Sequence, residues 1–133
     1  MADPTLLLVQ TAHHKYAIRN DDVYAIRTVN TKIAPTAQER YIELGPLFDP
    51  ADISDTSRRH AMLVPLRRKL LLFLVDRIDQ FEAQPTVSAL PKLIADHLHQ
   101  PLAIGVVPLD DHMIVLLDLR AIARSVLSSP TLG

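Results

Sequence analysis

The stretch Ala61-Met-Leu-Val-Pro-Leu-Arg-Arg-Lys-Leu-Leu-Leu-Phe-Leu-Val-Asp-Arg-Ile-Asp79 decides how the rest of this chain is read. Two apolar runs, Ala61 to Leu66 and Leu70 to Val75, flank the basic corner Arg67-Arg68-Lys69. Runs this short, broken by a polar corner, predict strand, turn and strand, and the second is apolar enough to be buried on both faces. Asp76 follows, where a carboxylate closes a strand by accepting local backbone bonds or by pairing with an arginine.

The same spacing recurs on both sides. Leu6 to Val9, Tyr16 to Ile18 and Val23 to Val29 are separated by His13-His14-Lys15 and Asn20-Asp21-Asp22, which is hairpin spacing. The pattern fails around Pro35, resumes at Tyr41 to Leu44 and stops at a Gly45-Pro46 turn. Phe48 to His60 is the most polar stretch and predicts an exposed connection. Thr86 to Leu90 suggests another strand, and Pro91 to His99 a short helix opened by proline. Leu102 to Val107 and Met113 to Leu117 flank Pro108-Leu109-Asp110-Asp111-His112, a hairpin with its acidic pair in water. Asp118 caps a final helix over Leu119 to Leu127, with Leu119, Ile122, Ala123 and Val126 on one face, and Pro130 blocks its extension.

Composition removes several function classes. With 133 residues, 48% of them hydrophobic, the chain is sized for one domain or two very small cooperating ones. Fourteen basic against fifteen acidic residues give a formal charge of -1, without the field that holds nucleic acid or an anionic membrane. No cysteine is present, so disulfides, thiolate nucleophiles and sulfur ligands are excluded, and a reducing cytoplasm is compatible. Only three glycines occur, too few and too scattered for a phosphate loop or dinucleotide fingerprint. The opening Met-Ala-Asp-Pro-Thr carries no basic region, and the longest aliphatic or aromatic run, Leu70 to Val75, is far too short for a bilayer span. Neither export nor membrane insertion is expected.

No constellation of side chains demands chemistry. His97 and His99, with Asp96 beside them, are the best metal pair by type, but a spacing of two aligns them only on a strand. His13, His14 and His112 fall at turns, where exposed histidine is ordinary. Ser54, Ser57, Ser88 and Ser125 lack a nucleophile-turn context. Asp76 and Asp79 read as fold markers rather than an acid/base pair. Arg58-Arg59, Arg67 to Lys69, Arg120 and Arg124 lack the aromatic interleaving of a nucleic-acid surface, and an acidic protein surface suits the basic corner better.

Leu70 to Asp79 and Ile104-Gly-Val-Val-Pro-Leu-Asp-Asp-His-Met-Ile-Val-Leu-Leu-Asp-Leu-Arg-Ala-Ile122 resemble the second half of a CheW-like chemotaxis coupling domain. Val75-Asp76-Arg77-Ile78 resembles the family's Val-Asp-x-Val landmark, and Leu117-Asp118-Leu119 its Ile-Leu-Asp strand leading into a helix. Tyr41-Ile42-Glu43-Leu44-Gly45 resembles the strand that usually reads Val-x-Asp-Leu, with Glu43 in place of the aspartate. The resemblance runs from about residue 5 to 127 and is specific between about 70 and 122. In the family's first half a hairpin with an Asn-x-Arg-Gly-like turn precedes that strand, whereas here only Asn30 to Arg40 lies between Val29 and Tyr41.

This resemblance implies a mainly β, CheW-like fold of two SH3-like β-barrel subdomains, the first reduced, plus a C-terminal helix. It divides the chain into a shortened first subdomain at 5–48, a polar connection at 49–60, a second subdomain at 61–127 and a tail at 128–133. It implies a non-catalytic adaptor without metal or other cofactor that couples chemoreceptor cytoplasmic domains to a CheA-like histidine kinase. Such a protein is cytoplasmic and recruited to membrane-associated receptor arrays. Candidate contacts are Leu44, Leu47 and Phe48 beside the polar connection, and Arg67, Arg68 and Lys69 at the turn. Two other readings stay open: a homo-oligomeric module that pairs open strand edges between copies, and an enzyme or small-molecule sensor, which requires a concave polar site.

Overall fold

The computed structural model describes residues 5–81, 83–89 and 102–128. Among the described residues nine strands and two helices follow one another: β1 (Leu6–Gln10), β2 (Lys15–Arg19), a 3-10 turn at Asn20–Asp22, β3 (Ala25–Asn30), β4 (Glu39–Glu43), α1 (Leu44–Phe48), β5 (Arg58–Leu66), β6 (Lys69–Val75), β7 (Arg77–Gln80), β8 (Ala103–Leu109), β9 (His112–Leu117) and α2 (Leu119–Ser128). They form a five-stranded sheet in the order β7-β1-β2-β9-β8 and a four-stranded sheet in the order β3-β5-β6-β4.

The central strands follow directly from the apolar runs. β5 and β6 pair antiparallel with Met62 opposite Phe73 and Leu63 opposite Leu72, and Leu71 to Val75 are all buried. Alternation sends Leu71, Phe73 and Val75 into the main core, where Val9, Tyr16 and Ile18 of the other sheet meet Leu117, Leu119, Ile122, Ala123 and Val126. Leu72 and Leu74 point the other way, into a second cluster with Val29, Ala61 and Leu63. A third cluster, Leu6, Ala17, Val107, Ile114 and Leu116, lies on the five-stranded sheet.

The chain exchanges sheets as it runs. β1 and β2 enter the five-stranded sheet, β3 to β6 build the other, and β7 returns to pair with β1, Ile78 opposite Val9. Two pairings are parallel, β2 with β9 and β4 with β6, and the rest antiparallel. α2 begins as the sequence predicts: the Ala121 N–H donates to Asp118 Oδ1 at 3.1 Å and the Ile122 N–H to the Asp118 carbonyl at 3.0 Å. That carboxylate satisfies an N–H that the helix start leaves without a partner.

The expected SH3-like barrels are corrected. Closing a barrel requires the two edge strands of a sheet to share a hydrogen-bond ladder, and among the described residues neither sheet does so. In the four-stranded sheet β3 and β4 are linked by side chains instead, with Arg27 Nη1 2.9 Å from Glu39 Oε2. In the five-stranded sheet a single bridge, Ser88 with Val106, lies beside the edge strand β8, while β7 ends the opposite side. Gly105 permits that bridge, because a Cβ there would stand 2.5 Å from the Ser88 carbonyl oxygen.

Smaller departures have local causes. Gly45-Pro46 continues into α1 rather than turning, since proline is tolerated in a first helical turn where its missing N–H has no intrahelical acceptor. Thr86 to Ser88 makes only the one bridge, not a strand; the rest of that segment, the Pro91 to His99 helix, and Asp96, His97 and His99 lie partly or wholly outside the described residues.

Candidate protein-interaction surface

Leu44, Leu47 and Phe48 are fixed by where α1 sits. Gly45 lets the helix approach the following loop, because a Cβ would fall 2.5 Å from the Asp52 carbonyl oxygen. Leu44 is then buried in the main core and presents no surface. Phe48 is half-buried, its ring 5.6 Å from that of Tyr16 at a 42° tilt. Leu47 is 37% exposed, and Ile53 just beyond the helix is 61% exposed.

The loop beyond α1 is clasped rather than free. Asp52 is 2% exposed, and its carboxylate accepts from the Thr11 hydroxyl and from the His13 N–H at 2.9 Å. Asp49 Oδ2 lies 2.9 Å from His14 Nε2. The His14 hydrogen bond, then that of the Ala51 N–H, hold the Asp49 carboxyl below the ordinary carboxylate range. Burial, followed by the charges of Asp52 and Asp49, pushes the Tyr16 phenol up to about 12. The clasp holds the corner formed by α1 and its following loop, which carries Leu47, Phe48 and Ile53, against the β1–β2 turn. Its signal in the sequence was the Asp49-Pro-Ala-Asp52 run, which reads as an ordinary polar loop until Thr11 and His13 are seen to meet it.

Arg67, Arg68 and Lys69 are exposed at the β5–β6 turn, where Leu66 pairs with Lys69. Lys69 Nζ donates to the Ala37 carbonyl at 3.1 Å. The structure does not bring this turn to the α1 corner. Glu43, at the start of α1, pairs with Leu74, whereas Lys69 begins β6, so five strand steps separate the two groups by about 17 Å.

Several other polar groups are engaged in the fold. Arg59 is 3% exposed and lies 2.7 Å from Glu43 and 3.2 Å from Asp76, so it belongs to no basic surface. Arg77 pairs with Asp79 at 2.8 Å. A surface hollow of about 470 Å³ lies between the 3-10 turn, the end of β5 and α2, lined in part by Asp21, Asp22, Arg120 and Arg124. Asp22 is bound by Arg19 at 3.0 Å, and Arg120 donates to the Asp21 carbonyl at 2.8 Å. Among the described residues, no group of three or more His, Asp or Glu side chains is arranged to hold a metal ion, and no helix is long and apolar enough to cross a membrane.

The segment Val23 to Val29 signals no more than a strand in the sequence. Tyr24 is 77% exposed and Ile26 49%, and β3 is a sheet edge. An alternating Tyr-x-Ile-x-Thr row is identical in sequence whether its apolar side is covered or open, so no local signal reveals its exposure.

No protein-family model and no curated protein matches the sequence. Among solved structures, the chain is similar to the crystal structure of the scaffolding protein TtCheW from Thermoanaerobacter tengcongensis, at 14% identity and a TM-score of 0.64. The likeness covers 87% of this chain and 89% of that one, taking in nearly the whole path of both. Together with the two sheets, the exchange of strands between them and the C-terminal helix, this identifies the fold as CheW-like.

Proposed function

We propose that this chain is a non-catalytic adaptor in chemosensory signalling, joining chemoreceptor cytoplasmic domains to a CheA-like histidine kinase. The observation that carries the reading is the likeness of nearly the whole chain to a scaffolding protein of the CheW type. An adaptor needs two surfaces on one rigid body, and two candidates lie at opposite ends of β6. One is apolar, Leu47 and Phe48 on the clasped corner, with Leu44 anchoring it from the core. The other is the basic turn Arg67-Arg68-Lys69, suited to an acidic partner surface. Modest contacts at both suffice, because holding two partners together raises the effective concentration of each for the other.

This role requires no cofactor and places the protein in the cytoplasm, recruited to membrane-associated arrays through its partners. The test is a pulldown with the regulatory domain of the cognate kinase and the cytoplasmic tip of a cognate receptor. Binding to both is expected, with Leu47→Glu and Arg67→Glu/Arg68→Glu each weakening one partner. Binding to neither, under conditions where an ordinary CheW binds, overturns the proposal.

A further inference from the structure

The clasp between the β1–β2 turn and the loop after α1 concentrates negative charge. Asp52 is 2% exposed, and its carboxylate accepts from the Thr11 hydroxyl and the His13 N–H, with no cation paired to it among the described residues. Asp49 lies three positions earlier in the same loop, its Oδ2 2.9 Å from His14 Nε2. A buried carboxylate with hydrogen bonds but no counter-ion leaves its charge to act on the groups beside it. Both carboxylates act in this way on Tyr16, whose ring lies 6.2 Å from that of His14.

Few cations are placed to answer them. Arg77 on β7, which faces Gln10 of β1, is already paired with Asp79 at 2.8 Å. Lys15 is exposed, and alternation along β2 turns it to the opposite face from Tyr16. His13 and His14 are left, and among the described residues only the His14 imidazole reaches a carboxylate of the loop. Imidazole is the side chain that ordinarily changes charge between about pH 5 and 8, well above the range in which Asp49 takes up a proton.

We propose that His14 is a proton-operated latch on the α1 corner: its imidazolium holds the Asp49–Asp52 loop against the β1–β2 turn, and loss of that proton loosens the loop. With Asp49 ionised, a proton on His14 converts a hydrogen bond from a neutral ring into an ion pair and sets one positive charge against two negative ones. Clasping and protonation are thereby linked, so the closed loop is favoured on the acid side of the histidine range and weakens as pH rises through it. The pair is partly open to water, with side-chain exposures of 45% for His14 and 39% for Asp49. That exposure limits the effect to about two- to five-fold in the opening equilibrium. Leu47, Phe48 and Ile53 ride on the segment that is held, and the latch does not depend on what docks against them.

Hydrogen exchange followed by NMR on the full chain tests the latch. The His13 N–H, which crosses the clasp to Asp52, reports its opening, and the Phe73 N–H in the buried β6 serves as the internal reference. After correction for intrinsic exchange, protection of the first relative to the second is expected to fall about two- to five-fold between about pH 5.5 and about pH 8. His14→Gln, which keeps a side-chain donor but takes up no proton, and Asp49→Asn should each abolish this dependence, whereas His13→Gln should retain it. Relative protection that is flat across the range in the unmodified protein overturns the proposal. So does a dependence that survives His14→Gln or Asp49→Asn, or one that His13→Gln removes.

Discussion

Arg59 meets Asp76 where the chain passes from one sheet to the other. The guanidinium Nε, on β5, lies 3.2 Å from Asp76 Oδ1, and Asp76 is the single residue between β6 and β7. The Asp76 N–H donates to the Gln10 carbonyl at 2.8 Å, so this residue joins β1 by its backbone and β5 by its side chain. Glu43, 2.7 Å from Arg59 Nη1, completes the junction.

Removing Arg59 therefore exposes a mismatch rather than only a lost contact. Arg59→Leu leaves two carboxylates facing each other across an apolar side chain. Breaking a buried pair costs about 3–5 kcal/mol, and because Glu43 and Asp76 retain partial access to water the lower end, about 3 kcal/mol, is expected. Urea denaturation measures it; a loss below about 1 kcal/mol would mean that the junction contributes no more than a surface pair.

Asp118 links the C-terminal helix to β2. Its Oδ1 accepts from the Ala121 N–H and lies 3.2 Å from Arg19 Nη2. Asp118→Ala should cost about 1–2 kcal/mol, whereas Asp118→Asn, which keeps the cap acceptor, should cost less than half as much. Thermal unfolding of the two variants side by side checks the difference.

Gly105 tests the crossing at β8. A Cβ there meets the Ser88 carbonyl oxygen at 2.5 Å and a Val87 methyl at 2.9 Å, so Gly105→Ala must push the segment away. Faster hydrogen exchange at Ser88 and Val106, with a loss of about 1–3 kcal/mol in stability, is the expected outcome. Unchanged exchange at both amides would show that the segment is not held there.

Tyr16 provides a pH signature of its burial beside the clasp. Its phenol is raised from an ordinary value of 10.0 to about 12 in the folded protein. A raised folded value means that the native state keeps a proton which the unfolded chain releases above about pH 10. The associated stability is complete below pH 10 and is lost as pH rises toward 12. Ultraviolet titration should show one phenol ionising near 12, and Tyr16→Phe should flatten the alkaline loss of stability.

Much of this architecture was legible because hydrophobic period and turn chemistry are local. Leu70 to Val75 specified a strand buried on both faces, Asp118 the start of α2, and Asp110-Asp111 a hairpin turn, in which Asp110 adopts a φ of 53°. What escaped depends on partners far away in sequence. Asp52 is buried only because Thr11 and His13 donate to it, and Arg59 is a junction rather than part of a basic patch because Glu43 and Asp76 surround it. Barrel closure failed as an expectation for the same reason: strand content does not say whether β3 and β4 share a ladder or a side-chain ion pair. At the interaction surface, sequence singled out Leu44 together with Leu47 and Phe48, but only burial separates the core member from the two that reach the surface.

The adaptor reading is tested most directly by measuring how much CheA-like kinase sediments with receptor-bearing membranes as this chain is added. The account predicts a saturable rise in bound kinase that both Leu47→Glu and Arg67→Glu/Arg68→Glu diminish. Kinase recovery that stays at its starting level while folded chain is in excess would contradict it.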